Sequence, residues 1–254
     1  MPGEQLNDEK IDPVKADAVA AGATEAKPKK AARKPAKTAP QGAAPQKEMH
    51  IKSGPVLLFG KYSYDGIEVL DQSLRNYINL TPISYPHSFG RKSQNQFHKS
   101  NVNIIERLEN SIMRGGTGGK VGGRVIRTKG RMQGKKIKAM KTIDEAFGII
   151  SRQTGKNPIQ ILVMALENSA PIEDTTRVRY GGIVSNVAVD ISASRRLDVA
   201  LRNIGMATVT SAFRNKRTIA QSMANELILA SNNDVNSYAI KRKNETERMA
   251  RSAK

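Results

Sequence analysis

Residues 157–190 read NPIQILVMALENSAPIEDTTRVRYGGIVSNVAVD, and this stretch decides the fold. Asn157 followed by Pro158 predicts a helix cap and a first-turn proline, because proline lacks only an N–H that has no partner there. The helix that they open is apolar on almost every face. Such a helix is buried rather than amphipathic. We therefore expect the centre of the fold to lie at residues 158–170.

The second part of this stretch alternates β-branched and polar side chains on both sides of Gly181-Gly182. Alternation around a short glycine turn predicts a two-stranded antiparallel hairpin, at about residues 174–191. A single hairpin is marginally stable alone, and we expect Arg177 and Arg179 to point outward. The hairpin is therefore predicted to protrude from the helical body toward a partner.

Helical patterns lie upstream of this stretch. Asn103 with Glu106 three residues later predicts a capping box for an amphipathic helix that ends near Gly115. A second helix is predicted to run to Gly155 because its apolar residues follow helical spacing. Those residues are Ile137, Met140, Ile143, Phe147 and Ile150.

Three more helices are predicted downstream of the hairpin. Ser192 or Ser194 caps the first, and Thr218 with Gln221 forms a capping pair for the second. The C-terminal segment from residue 237 favours a third, basic helix. In the first of them, helical spacing places Leu197, Leu201 and Ile204 inside and Arg195, Arg196 and Arg202 outside.

These patterns predict a mainly α fold, a compact helical domain of about six helices over residues 49–254 with one protruding β-hairpin. A basic Gly-rich insert at about residues 115–136 interrupts the domain, since glycines bury nothing and charges resist burial. Residues 1–48 are rich in Ala, Lys and Pro and bury too little to offset chain entropy. They are predicted to form a disordered arm that is basic in its second part.

The charge of the chain indicates its class of partner. Lys and Arg number 42 against 23 Asp and Glu, and the formal net charge is +19. Residues 27–47 and 114–141 are rich in Lys and Arg and hold no acid, and a shorter basic run spans 214–217. Such blocks repel one another unless a polyanion meets them, so nucleic acid is the predicted partner. Aromatic residues make up only 4% of the chain, which argues against a base-stacking platform.

Other classes of site find little support in the sequence. There is no Cys, which excludes disulfides and thiolate metal sites. The insert fails the phosphate-loop pattern, because Gly115 to Lys120 is one residue short and Val121 replaces the Ser or Thr. His87 and His98 have no nearby Cys or paired acid, so we predict no metal site and no cofactor.

No catalytic constellation is predicted either. The acids that flank the hairpin carry no carboxylate-pair motif, and we expect them to serve as caps and as ion-pair partners of neighbouring arginines. They are Glu167, Glu173, Asp174 and Asp190. No run approaches the ~20 apolar residues of a membrane span, and the N-terminus lacks an apolar signal region. The chain is predicted to be a soluble intracellular protein, without membrane partners, that is not an enzyme.

The motifs NPIQ, ENSAP, YGG, AVDIS and SYAIKRK occur in this order. Together they resemble the universal small-subunit ribosomal protein S-seven family, in its archaeal and eukaryotic form. The resemblance covers roughly residues 57–254, apart from the insert, and the arm and the long insert depart from the family pattern. It implies a cytoplasmic structural constituent of the small ribosomal subunit, a primary rRNA binder that nucleates assembly of the subunit head. The implied partners are small-subunit rRNA, neighbouring small-subunit proteins, and tRNA and mRNA near the exit site.

The predicted RNA-binding residues are basic and come from the resemblance and from the charge clusters. The resemblance implies Arg177 and Arg179 on the hairpin, Arg195, Arg196 and Arg202 on the next helix, Arg214, Lys216 and Arg217 after it, and Lys241, Arg242 and Lys243 at the C-terminus. Further predicted residues are Arg75, Arg91, Lys92, Arg114, Lys120, Arg124, Arg127, Arg131, Lys135 and Lys136.

One alternative of another class stays open at this point. The Lys/Ala/Pro arm is also typical of a free-standing architectural DNA-binding or chromatin protein. Such a protein would bind duplex DNA and would not associate with ribosomes.

Overall fold

The computed structural model describes residues 55–93, 95–115, 120–121, 124–125 and 132–254. These residues belong to one compact unit, Ile51–Lys254. The predicted arm at residues 1–48 lies outside the described residues, and so does most of the insert.

Seven α-helices occur in the described part of the chain. They are α1 (Gln72–Arg75), α2 (Ile104–Met113), α3 (Lys136–Thr154), α4 (Pro158–Ser169), α5 (Ala193–Ala212), α6 (Ile219–Ser231) and α7 (Tyr238–Ser252). The mainly α prediction is confirmed, and α1 is one short turn beyond the six long helices. Within the described ranges, no helix combines the length and apolarity that a membrane crossing requires.

The strands form two antiparallel hairpins. A short one in the insert pairs β1 (Lys120–Val121) with β2 (Arg124–Val125), and the sequence did not predict it. The long one pairs β3 (Glu173–Tyr180) with β4 (Ile183–Asp190). Its turn holds Gly181 at φ +52° and Gly182 at φ +89°, the positive angles that a two-residue turn of this twist needs. The predicted hairpin is confirmed, with bounds shifted by one residue.

Helix α4 lies at the centre of the hydrophobic core. It packs against α3, α5, α6 and α7. Ile159, Leu162 and Leu166 are completely buried on one side of the helix, and Ile161 at 3% exposure and the completely buried Ala165 lie on another side. The predicted central buried helix is therefore confirmed.

Helix α3 buries a narrower stripe than the sequence predicted. Its completely buried residues, at i, i+4, i+7, i+8 and i+11 spacing, are Ala139, Ile143, Ala146, Phe147 and Ile150. Ile137 was wrongly assigned to this stripe and is 70% exposed. Six residues separate it from Ile143, which turns it about 120° away from the buried face.

Two capping boxes were predicted, and one is complete. Thr218 and Gln221 exchange hydrogen bonds, each backbone N–H donating to the other side chain at 3.2 Å. At α2, Asn103 accepts from the Ile105 N–H at 2.9 Å, but Glu106 does not reach back to the cap. Glu106 instead pairs with Lys136, because this charge-assisted bond is stronger than one from the neutral N–H of the cap. It also accepts from the backbone N–H and the hydroxyl of Ser88.

Thr218→Ala is expected to lower the free energy of unfolding by about 1 kcal/mol, the usual value of an N-cap side chain. Ser192 provides the matched control, since it is the N-cap of α5 but its side chain makes no capping hydrogen bond. Urea denaturation of both alanine variants measures the difference. Equal losses in the two variants would show that the Thr218 hydrogen bond does not stabilise α6.

Candidate nucleic-acid interface

The long hairpin has two chemically different faces. Residues directly opposite each other in the register share a face, so Arg177 with Asn186 and Arg179 with Val184 form one of them. Both arginines are exposed, and neither pairs with a described carboxylate. The other face is largely apolar and carries Thr176, Val178, Tyr180, Ile183, Val187 and Val189. The hairpin therefore presents its positive charge on one face only.

Ion pairs hold the base of the hairpin. Glu173 pairs with Lys254, just after the end of α7, at 2.7 Å, and Asp174 pairs with Arg195 of α5 at 3.3 Å. The Ile172 N–H donates to the carboxylate of Glu247 at 3.2 Å. These contacts fix the base to two helices and leave the turn free to meet a partner.

The other two acids that flank the hairpin, Glu167 and Asp190, differ in their environments. Glu167 accepts from the backbone N–H groups of Leu70 and Asp71 at 2.7 and 3.1 Å. It is therefore neither a cap nor an ion-pair partner of an arginine, and that prediction was wrong for Glu167. Asp190 is exposed at the end of β4.

Arg196 was wrongly predicted to lie on the outer face of α5. It is 9% exposed, and its guanidinium donates to Asp71 at 2.9 Å, to Ser73 and to the Pro171 carbonyl at 3.2 Å. The reason is helical spacing, because Arg196 shares an i, i+4, i+8 row with the buried Ala200 and Ile204.

The surroundings of Asp71 support this structural role. Burial alone would raise the pKa of Asp71, but hydrogen bonds from Ser73 and the charge of Arg196 hold it below its ordinary value. Asp71 therefore stays ionised as the partner of Arg196. This arginine ties the start of α1 to α5.

Four other predicted cations are partly engaged within the protein. Lys136 pairs with Glu106, and Arg242 pairs with Glu245 at 2.8 Å. The ammonium groups of Lys92 and Lys243 donate to the carbonyls of Asn101 and Asn168, both at 3.0 Å. These side chains keep their positive charge, but their positions are set by the fold.

The remaining predicted cations of the described residues are exposed and have no described carboxylate within ion-pair distance. They are Arg75, Arg91, Arg114, Lys135, Arg202, Arg214, Lys216, Arg217 and Lys241, besides the two hairpin arginines. Arg127 and Arg131, and the side chains of Lys120 and Arg124, lie outside the described residues. The exposed cations supply the charge that a polyanion would meet.

Sequence reasoning missed Arg152, which stands near the C-terminus of α3. It is exposed, its Nε donates to the Gly148 carbonyl at 3.1 Å, and it has no carboxylate partner among the described residues. A signal was available, because the sequence places this cation one turn before the C-cap Gly155. Over the described ranges, no three His, Asp or Glu side chains cluster as a metal site requires.

Comparison with known proteins decides the family. Residues 64–254 match the family described as ribosomal protein S7p/S5e. The chain belongs to this family. The resemblance stated from the sequence motifs is therefore confirmed, and the matched range begins after the predicted arm.

Archaeal members of the S7p/S5e family are similar over almost their whole length. The small ribosomal subunit protein uS7 of Methanothermobacter thermautotrophicus is 47% identical over 197 residues, which cover 78% of this chain and 98% of that protein. The protein of the same name from Methanococcus maripaludis is 44% identical over 200 residues, covering 78% of this chain and 99% of that protein. As an S7p/S5e protein, the chain is a non-enzymatic structural constituent of the small ribosomal subunit in the cytoplasm.

Proposed function

We propose that this protein is a primary binder of small-subunit rRNA that nucleates assembly of the subunit head. Its hairpin would lie near the exit-site tRNA and the path of the mRNA, and neighbouring small-subunit proteins would complete its surroundings. The observation that carries the proposal is the set of exposed cations without carboxylate partners, spread over the hairpin, α5, the α5–α6 connection and α7.

The physical mechanism is binding at many phosphates. Each Lys or Arg that meets a phosphate releases condensed counterions, so affinity falls steeply as salt rises. Specificity comes from the shape of folded RNA and from its single-stranded junctions, which a rigid helical body can match. The buried core of α4 and the ion pairs at the hairpin base supply that rigidity.

Co-sedimentation with small subunits tests the proposal against the DNA-binding alternative. We expect the full chain to sediment with the subunit at moderate salt and to be released by a high-salt wash. Membership of a ribosomal protein family favours this outcome over free-standing DNA binding. Equal affinity for duplex DNA and for small-subunit rRNA at the same salt would contradict the proposal.

Replacing Arg177 and Arg179 together by Ala is expected to spare folding and most of head assembly. Neither side chain belongs to the core, and both lie on the polar face of the hairpin. The deficit should appear later, as altered reading-frame fidelity, because the proposed place of the hairpin is beside tRNA and mRNA. Gradient sedimentation measures assembly, and a frameshift reporter measures fidelity.

A double variant of Arg248 and Arg251 is the matched control, since both are exposed arginines of α7 without a described ion-pair partner. It removes the same charge from a different surface. Loss of the head particle in the hairpin variant, with no separate fidelity defect, would assign Arg177 and Arg179 to rRNA anchoring instead.

A further inference from the structure

A groove lies between the C-terminal half of α3 and the N-terminal part of α6. It has a volume of about 430 Å³ and is lined by Ile149, Arg152, Gln153, Arg217, Gln221 and Asn225. This volume falls within the range of about 300–1,000 Å³ that small-ligand sites occupy. Two helices from different parts of the sequence therefore bring cations and carboxamides together in one concave surface.

The charge of the groove suits an anion. Arg152 and Arg217 are both exposed, and no carboxylate lines the groove beside them. The hydrogen bond from Arg152 Nε to the Gly148 carbonyl holds that side chain along α3. Arg217 directly precedes Thr218, the N-cap of α6, where the helix dipole adds partial positive charge. A phosphate placed between the two guanidinium groups would meet positive charge from both helices.

The carboxamides of the groove suit the edge of a nucleobase. Gln153 and Asn225 make no side-chain hydrogen bond to any other described residue, so each offers both a donor and an acceptor. Gln221 uses its carbonyl oxygen in the capping box and keeps its amino group available. Ile149 adds an apolar side chain that can support the face of a base. Unpaired bases in RNA are recognised by this combination of edge hydrogen bonds and face contact.

We propose that this groove binds one unpaired nucleotide of small-subunit rRNA, with its phosphate on Arg152 and Arg217 and its base edge on Gln153 and Asn225. The identity of the nucleic acid rests on the proposed function. The groove itself adds a base-reading element to a surface that otherwise consists of phosphate-binding cations.

The test uses the full chain and a transcript of the small-subunit rRNA, with affinity measured over a series of salt concentrations. Arg152→Gln should make the salt dependence shallower by about one unit, since it removes about one phosphate contact. The double variant Gln153→Ala/Asn225→Ala should weaken binding about tenfold with an unchanged salt slope, because it removes neutral hydrogen bonds. Lys156→Gln is the control for the arginine, as it is an exposed cation close in sequence to Arg152 that does not line the groove.

Chemical footprinting of the same complexes identifies the nucleotide. Dimethyl sulfate, kethoxal and carbodiimide together report on the edges of all four unpaired bases. We expect the double carboxamide variant to expose one base that the unaltered protein protects, while base protections elsewhere persist. If the unaltered protein binds the rRNA but both groove variants keep every base protection and the full affinity, the groove does not bind a nucleotide and the proposed function still stands. If the unaltered protein does not bind the rRNA, the proposed function fails first.

Discussion

Leu162→Ala is expected to lower the free energy of unfolding by about 2–5 kcal/mol. Leu162 is 0% exposed on α4, the helix that packs against four other helices. Truncation removes the apolar surface that it buries and leaves a cavity that close-packed neighbours cannot fill completely. Urea denaturation, followed by circular dichroism at a helix wavelength, measures the loss.

Leu70→Ala is the matched control for this variant. Leu70 is 74% exposed, so the same chemical change should cost almost nothing. A loss below about 1 kcal/mol for Leu162→Ala would mean that the site collapses around the shortened side chain or that α4 is not the centre of the core.

Helix α4 and the long hairpin could be predicted from the sequence because their signals are local. Asn157 and Pro158 mark the start of α4 within two residues. The burial of α4 can be predicted from its own residues, because they are apolar on almost every face of the helix. The hairpin likewise depends on alternation and on Gly181-Gly182, both of which lie between residues 173 and 190. Local preferences of this kind agree with the folded structure unless a residue distant in sequence offers a competing contact.

Distant partners account for the errors at Arg196 and Glu106. Arg196 lies on a buried row of α5, and its charge is tolerated there because Asp71 and Ser73, which lie far away in sequence, accept its hydrogen bonds. Glu106 leaves its expected cap position because Lys136 of another helix offers a stronger partner. No periodicity within α2 or α5 identifies those partners, so the sequence could assign a face to each residue but not its contacts.

In the candidate interface, too, the local features could be predicted from the sequence and the contacts between distant segments could not. The hairpin arginines follow from strand alternation, since alternate residues share a face. The groove between α3 and α6 could not be predicted, because Arg152 and Arg217 line one surface only after the two helices pack. The distribution of charge along the sequence identified Arg217 as part of an acid-free basic run. It gave no indication that Arg217 lies near Arg152 or near the carboxamide side chains of the groove.

Glu109 is a buried acid whose burial can be recognised from the helical pattern of α2. It follows Ile105 and Leu108 and precedes Ile112 at i, i+3, i+4 and i+7 spacing, so it lies within the apolar stripe of α2. It is 0% exposed, and neither carboxyl oxygen has a hydrogen-bond partner within the described ranges. Burial raises the pKa of Glu109 to about 8, the charge of Lys136 opposes this rise, and the nearby Glu106 adds to it.

Stability is expected to fall as pH rises from about 5 to about 8, because of Glu109. In this range the folded state keeps the Glu109 proton, whereas the unfolded chain, with an ordinary pKa of 4.5, has released it. The unfolded state then binds fewer protons, and the free energy of unfolding decreases with pH. Below the ordinary pKa the acid is neutral in both states and this penalty is absent. A rise from 4.5 to about 8 corresponds to at most about 5 kcal/mol, at about 1.4 kcal/mol per unit.

Glu109→Gln should therefore be more stable than the unaltered protein at about pH 8 and above, by several kcal/mol, and the difference should shrink toward about pH 5. A neutral carboxamide has nearly the shape of the acid and does not ionise, so it removes the penalty without opening a cavity. Urea denaturation across this pH range, compared with Glu145→Gln on the exposed side of α3, separates the effect of Glu109 from that of removing any acid from the surface. If the pH curves of Glu109→Gln and the unaltered protein run parallel, Glu109 is ionised in the folded state and must be charge-compensated there.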